Sequence, residues 1–140
     1  MSLRETPMTQ WYWSQVGGTL IEEFPVVVRG ADNSPRWLDG LIVLDAPTER
    51  LPPRTPLLLT DKRVVIVQAK NRRLGMYLMG QTLFSAQLVR RYFHAAHVES
   101  IALVSRTDSV LQPLLEAHEG CRVVECPPEV CARTASDNDS

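Results

Sequence analysis

An α/β fold with a mixed central sheet flanked by helices follows from three observations. Apolar runs of strand length recur at Val26-Val27-Val28, Leu41-Ile42-Val43-Leu44, Val64-Val65-Ile66-Val67 and Ile101-Ala102-Leu103-Val104. Helical stretches separate some of these runs and not others, which gives the order α-β-β-β-α-β-α-β. The turn signature Gly30-Ala31-Asp32-Asn33-Ser34-Pro35-Arg36 joins the first two runs as a hairpin, so at least one strand pair is antiparallel.

Residues 1–8 read as a loose terminus, 9–131 as one domain, and 132–140 as a tail disordered by composition. From Gln10 to about Glu23, Trp13, Val16, Leu20 and Phe24 recur at helical spacing, and Pro25 stops the run. Gly17-Gly18 weakens that helix by roughly 1 kcal/mol per glycine relative to alanine. On such a helix Glu23 flanks the apolar face and Glu22 lies outside, as a solvated charge. Strands are then expected over 26–30 and 37–44, followed by a stiff, exposed connection with prolines at 47, 52, 53 and 56.

Thr60 to Arg63 is the turn into a strand over 64–70, and Asn71-Arg72-Arg73 a short basic loop. The longest helix spans 75–93 and is apolar on nearly every side, with Gln81 facing inward. Its second stripe (Met76, Met79, Leu83) belongs either to a thicker core or to a homodimer interface through this helix. A strand over 100–105, a helix from Asp108 or Ser109 to Glu119 ended by Gly120, and a strand over 121–125 complete the series.

Composition narrows the function classes. Apolar content of 44% and charged content of 22% describe an ordinary globular domain. A net charge of −1 provides no global basic field, so any nucleic-acid contact must rest on a local patch. The three cysteines, the lack of a secretory pattern and the lack of an uncharged apolar run of about 18 residues point to a cytoplasmic protein with free thiols. His94 and His97 have only Glu99 beside them, and the even spacing of Cys121, Cys126 and Cys131 matches no zinc pattern. Gly17-Gly18 lacks the context of a phosphate loop.

Polar residues at the ends of two apolar strands carry the chemistry. Asp39 opens one, while Gln68 and Lys70 close the other and point to the same face, with Ala69 opposite. If the two strands pair antiparallel, Asp39, Gln68 and Lys70 converge at one edge of the sheet. Each residue alone suits a strand end leaving the core, with Asp39 capping a turn and Lys70 reaching water.

Together, Asp39…Gln68-Ala69-Lys70 resembles the PD-(D/E)xK nuclease superfamily, with glutamine where that family carries an acid. Gln81, on the helix after the lysine, loosely resembles the RecB-like branch. The resemblance covers most of the chain and implies a restriction-endonuclease-like three-layer fold and divalent-metal-dependent phosphodiester cleavage, with DNA as the partner. It implies that Asp39 is the principal metal ligand, Gln68 a neutral one, Glu23 a further ligand and Lys70 the catalytic cation. The implied cofactor is Mg²⁺, with Mn²⁺ able to substitute and better suited to a ligand set short of one charge. Arg36, Arg72, Arg73 and Gln81, with Arg29 nearby, are the candidate nucleic-acid contacts. Trp11, Tyr12 and Trp13 could stack on bases but suit a core as well. Two other functions remain open: a catalytically silent relative acting as a nucleic-acid-binding or assembly module, and an α/β domain with unrelated ligand chemistry.

Overall fold

Helices cover both faces of the sheet, so its interior strands are apolar on both sides. The structure, a computed structural model, describes residues 5–132; the remainder of the two expected loose ends lies outside the described residues. In chain order the elements are α1 (Thr6–Val16), β1 (Thr19–Val27), β2 (Arg36–Val43), β3 (Glu49–Arg50), β4 (Arg63–Arg73), α2 (Met76–Phe93), β5 (His97–Arg106), α3 (Leu111–Glu116) and β6 (Cys121–Glu125). A further helical turn occupies 128–132.

The six strands form one mixed sheet in the order β3-β1-β2-β4-β5-β6. β1, β2 and β4 pair antiparallel, whereas β4, β5 and β6 are parallel and connected through α2 and α3. In β4, Val64 and Ile66 pack with Ala86 and Val89 of α2, while Val65, Val67 and Ala69 pack with Met8 and Tyr12 of α1. α1 and the 128–132 turn thus make one outer layer, α2 and α3 the other. At Gly40 a β-carbon would come within 2.8 Å of the Thr9 methyl, so glycine there lets α1 sit close on β2. Among the described residues no helix is long and apolar enough to cross a membrane. All three cysteines are free thiols, and burial pushes Cys126 up to about 12.

Several boundaries differ from the sequence reading. α1 begins at Thr6, with Pro7 in its first turn, so residues 6–8 are ordered helix, and Met8 is fully buried. The helix expected over 10–23 ends at Val16, because Gly17 and Gly18 take φ of 74° and 84°. A β-carbon on Gly18 would stand 2.5 Å from the Val43 carbonyl oxygen, so only glycine allows the close turn into β1. Leu20 and Phe24, spaced as on a helix, lie on a strand that changes face: Glu23 has φ of 51°, placing Leu20 toward α1 and Phe24 beneath α2. Asn71-Arg72-Arg73 is not a loop but continues β4, with Arg73 paired to Arg106 after an irregularity.

The third helix is shorter than expected, starting where the Asp108 carboxylate accepts the Val110 and Leu111 N–H groups at 2.9 Å each. Those two bonds hold the Asp108 carboxyl below its usual range. α3 also accounts for part of the second stripe of α2, since Met79 and Leu83 are half-buried against a cluster containing Leu115. Met76, Tyr77 and Phe84 remain exposed. Trp11 and Trp13 pack against the α1-side core and Tyr12 lies within it, so all three serve packing.

Candidate active site at the Asp39 end of β2

The β2–β4 ladder ends at the Gly40–Val67 pair. One residue further, the Asp39 carboxylate takes the place of a main-chain acceptor, and its Oδ2 receives the Ala69 N–H at 2.9 Å. In return the Gln68 Oε1 accepts the Asp39 N–H at 3.4 Å, while its Nε2 donates to Ser85 Oγ on α2 at 2.8 Å. Gln68 is buried and bridges the divergent strand end to the helix. On β1, Glu22 pairs with Gly40 and Phe24 with Leu38, which leaves the left-handed Glu23 beside the gap where Asp39 departs from the ladder.

Burial raises the Asp39 carboxyl above its ordinary range, and the nearby Glu5 charge adds to the rise; the Ala69 N–H and the Lys70 charge oppose it. Lys70 is exposed at the mouth of a pocket of about 450 Å³, lined also by Glu5, Arg72, Arg73, Met76 and Tyr77. Among the described residues the lining of this pocket thus carries three cations and one carboxylate, a charge balance suited to phosphate. Arg73 also reaches the Thr107 carbonyl at 3.3 Å.

A second cleft of about 690 Å³ adjoins the first and shares Met76 and Tyr77 with it. Arg36, Gln68, Gln81 and Ser85 line this cleft beside Trp37 and Phe84. The four nucleic-acid candidates thus divide between the two, Arg72 and Arg73 in the first, Arg36 and Gln81 in the second. Arg29 is exposed in the loop after β1 and lines neither.

The upstream acids take places opposite to those a helix would give them. Glu22 is buried and bound to Arg50 of β3, at 2.8 Å to Nε and 2.6 Å to the terminal nitrogen. It is therefore not a solvated charge. Glu23 is half-buried, and its carboxylate meets the Arg54 Nε at 2.8 Å. Sequence reasoning missed Glu5, buried at the start of α1 and lining the pocket with Lys70. The Thr6-Pro7 helix start was the available signal. Ser85, four residues after Gln81 on the same helix face, was missed as the partner of Gln68.

Among the described residues no group of three or more His, Cys, Asp or Glu side chains could hold a metal ion. The donors near this strand end are fewer and do not line one pocket: the Asp39 carboxylate, the Gln68 amide oxygen in the second cleft and Glu5 in the first. A hard cation that keeps most of its waters fits such a set, since Mg²⁺ is commonly held by one or two carboxylates plus phosphate oxygens.

No protein-family model and no curated protein matches the sequence. Among solved structures, the fold resembles a repair endonuclease from Pyrococcus abyssi, with a TM-score of 0.60 and 18% identity over 89% of this chain and 47% of that one. It also resembles EndoMS in a complex with double-stranded DNA, with a TM-score of 0.53 and 18% identity over 91% of this chain and 46% of that one. The chain spans about half the length of these structures. Its mixed six-stranded sheet between helical layers is thus a fold that repair endonucleases also use.

Proposed function

We propose that this chain is a divalent-metal-dependent nuclease domain that cleaves phosphodiester bonds in DNA. The observation that carries the reading is the joining of Asp39 to the Gln68-Ala69-Lys70 segment at one strand end, beside a cationic pocket. The choice of DNA rests on the repair endonucleases and the EndoMS–DNA complex that share the fold.

Asp39 would hold the ion, with Gln68, hydrogen-bonded to the Asp39 backbone, and Glu5, whose charge acts on Asp39, as the candidate further donors. When bound, Mg²⁺ supplies an activated water and neutralises charge developing on the phosphate. The Ala69 N–H fixes the orientation of the Asp39 carboxylate, and Gln68 ties the Asp39 backbone to α2, so the acid is presented from two rigid elements. Lys70 sets a positive charge beside the scissile phosphate, while Arg72 and Arg73 hold the neighbouring ones. Glu23, engaged with Arg54, steadies the loop beside the site unless that pair opens.

Nicking of supercoiled plasmid in Mg²⁺ or Mn²⁺ tests the reading. Wild type should cut, more readily with Mn²⁺, whereas Asp39→Ala and Lys70→Ala should not. Cutting by Lys70→Ala at the wild-type rate would remove the assignment. One observation favours a second reading, a catalytically silent nucleic-acid-binding module. Gln68 is neutral, and both ends of its amide already bind protein groups. A protein that binds DNA yet cuts with neither ion would be that module. Homodimerisation through α2 would use the exposed Met76, Tyr77 and Phe84, and so competes with any other use of that face.

A further inference from the structure

The cleft between α2 and the outer end of β2 is walled by rings and floored by amides. Trp37, Tyr77 and Phe84 line it and are exposed by 49%, 77% and 59%. Leu88 and Val26 continue the apolar wall. On the floor, Gln68 and Ser85 satisfy each other, but the side-chain amide of Gln81 has no hydrogen-bond partner among the described residues. An aliphatic or purely apolar occupant would leave that donor and acceptor unpaired. A flat heterocycle with a donor–acceptor edge would stack on the rings and use the amide.

Charge further restricts the occupant. Arg36 lines the cleft, and the Arg54 guanidinium, itself paired with Glu23, lies 4.8 Å from the centre of the Trp37 ring. Across the shared wall of Met76 and Tyr77 lies the pocket of Lys70, Arg72 and Arg73. A heterocycle bound here thus has phosphate-binding groups one wall away. The volume, about 690 Å³, falls within the usual range for small-molecule sites and leaves room for a nucleoside.

We infer that this cleft binds an unpaired nucleobase of the strand whose backbone crosses the Lys70 pocket, so that the substrate is single-stranded at the site or becomes so by extrusion of a base. A base inside a duplex is stacked on both faces and cannot offer one to Phe84 or Tyr77. Stacking tolerates any base, so the cleft selects for strandedness more than for sequence. This inference rests on the nucleic-acid reading of the neighbouring pocket but not on cleavage.

Binding in EDTA tests it without catalysis. The full chain is titrated against a short single-stranded oligodeoxynucleotide bearing one fluorescent adenine analogue, and against the same strand in a blunt duplex. The single strand should bind roughly tenfold tighter or more, with the analogue quenched by stacking. Phe84→Ala should weaken single-strand binding roughly tenfold and relieve the quenching with duplex binding little changed; Tyr77→Ala, which also borders the Lys70 pocket, should weaken single-strand binding about as much, and Gln81→Ala less. These side chains are exposed, so the variants should fold, and circular dichroism checks that they do. Equal binding of duplex, or single-strand affinity unchanged in Phe84→Ala and Tyr77→Ala, would overturn the inference. A Phe84→Ala protein with unchanged affinity but a lower mass by light scattering would assign the cleft to a second copy instead. If the binding results hold and the wild type cuts nothing, the nuclease reading falls and the base cleft stands.

Discussion

Two carboxylates on neighbouring strands, Glu22 on β1 and Asp39 on β2, stand one residue out of register with each other. Glu22 meets a guanidinium at ion-pair distance, at 2.6 Å, with Gln10 at 3.5 Å on its other oxygen. Asp39 is held by a main-chain N–H at the point where its strand leaves the ladder, beside a pocket lined by cations. Both are partly or wholly removed from water. The difference is what replaces the water: at Glu22 a guanidinium in direct contact ties β1 to β3, and at Asp39 the Ala69 N–H orients the carboxylate while the Lys70 charge also favours its ionised form. The first is a structural tie between strands, whereas at the second burial remains the largest influence on the acid.

Exchanging each acid for alanine is the widest test of that contrast. Asp39→Ala should eliminate metal-dependent nicking while the protein stays folded. Glu22→Ala should keep activity per folded molecule and lose about 2 kcal/mol of stability by urea unfolding. That is less than a fully buried pair would lose, because the Arg50 side chain is 47% exposed and can return to water. Loss of activity in folded Glu22→Ala, with Asp39→Ala still cutting, would reverse the two roles.

Gln68→Glu sharpens the comparison by adding a third acid where the amide now sits. The Ser85 hydroxyl can donate to the new carboxylate, and Asp39 N–H can still bond it, but a buried charge appears beside Asp39. Thermal stability without metal should fall by about 1–3 kcal/mol, and Mg²⁺ should recover it through binding to the folded state. A variant as stable as wild type without metal, and unmoved by Mg²⁺, would show that Gln68 does not face the proposed ion.

Asp39→Asn gives the smallest effect and a definite sign. Burial raises the Asp39 carboxyl, so its contribution to stability is fully present below the ordinary carboxylate value and lost as the pH rises through the raised one. Asparagine keeps an acceptor for the Ala69 N–H and carries no charge. The variant should therefore melt above wild type at neutral pH, with the gap closing as the pH falls below the ordinary carboxylate value. Wild type melting higher at neutral pH would mean that the fold stabilises the ionised Asp39.

These contrasts were only partly legible in the sequence. The strands around Leu41 and Val65 and the helix over 75–93 stood out because their apolar runs match one period and end at turn residues. The meeting of Asp39 with Gln68 followed from pairing those strands. The order Glu22 outside and Glu23 inside failed because Trp13, Val16, Leu20 and Phe24 keep helical spacing across a break. A strand that changes face at a left-handed residue produces the same spacing. Arg50 could not be foreseen as a partner, since β3 is two residues long and has no periodicity of its own. Glu5 could be placed by Thr6-Pro7 only as the start of a helix, because its pocket with Lys70 depends on packing against β4 and α2.

Calorimetric titration of Mn²⁺ into wild type, Asp39→Asn and Gln68→Glu tests the central claim most directly, that the Asp39 end of β2 is a divalent-ion site lacking one charge. The account predicts weak binding by wild type, none by Asp39→Asn and tighter binding by Gln68→Glu. Equal binding by wild type and Asp39→Asn, or no tightening in Gln68→Glu, would contradict it.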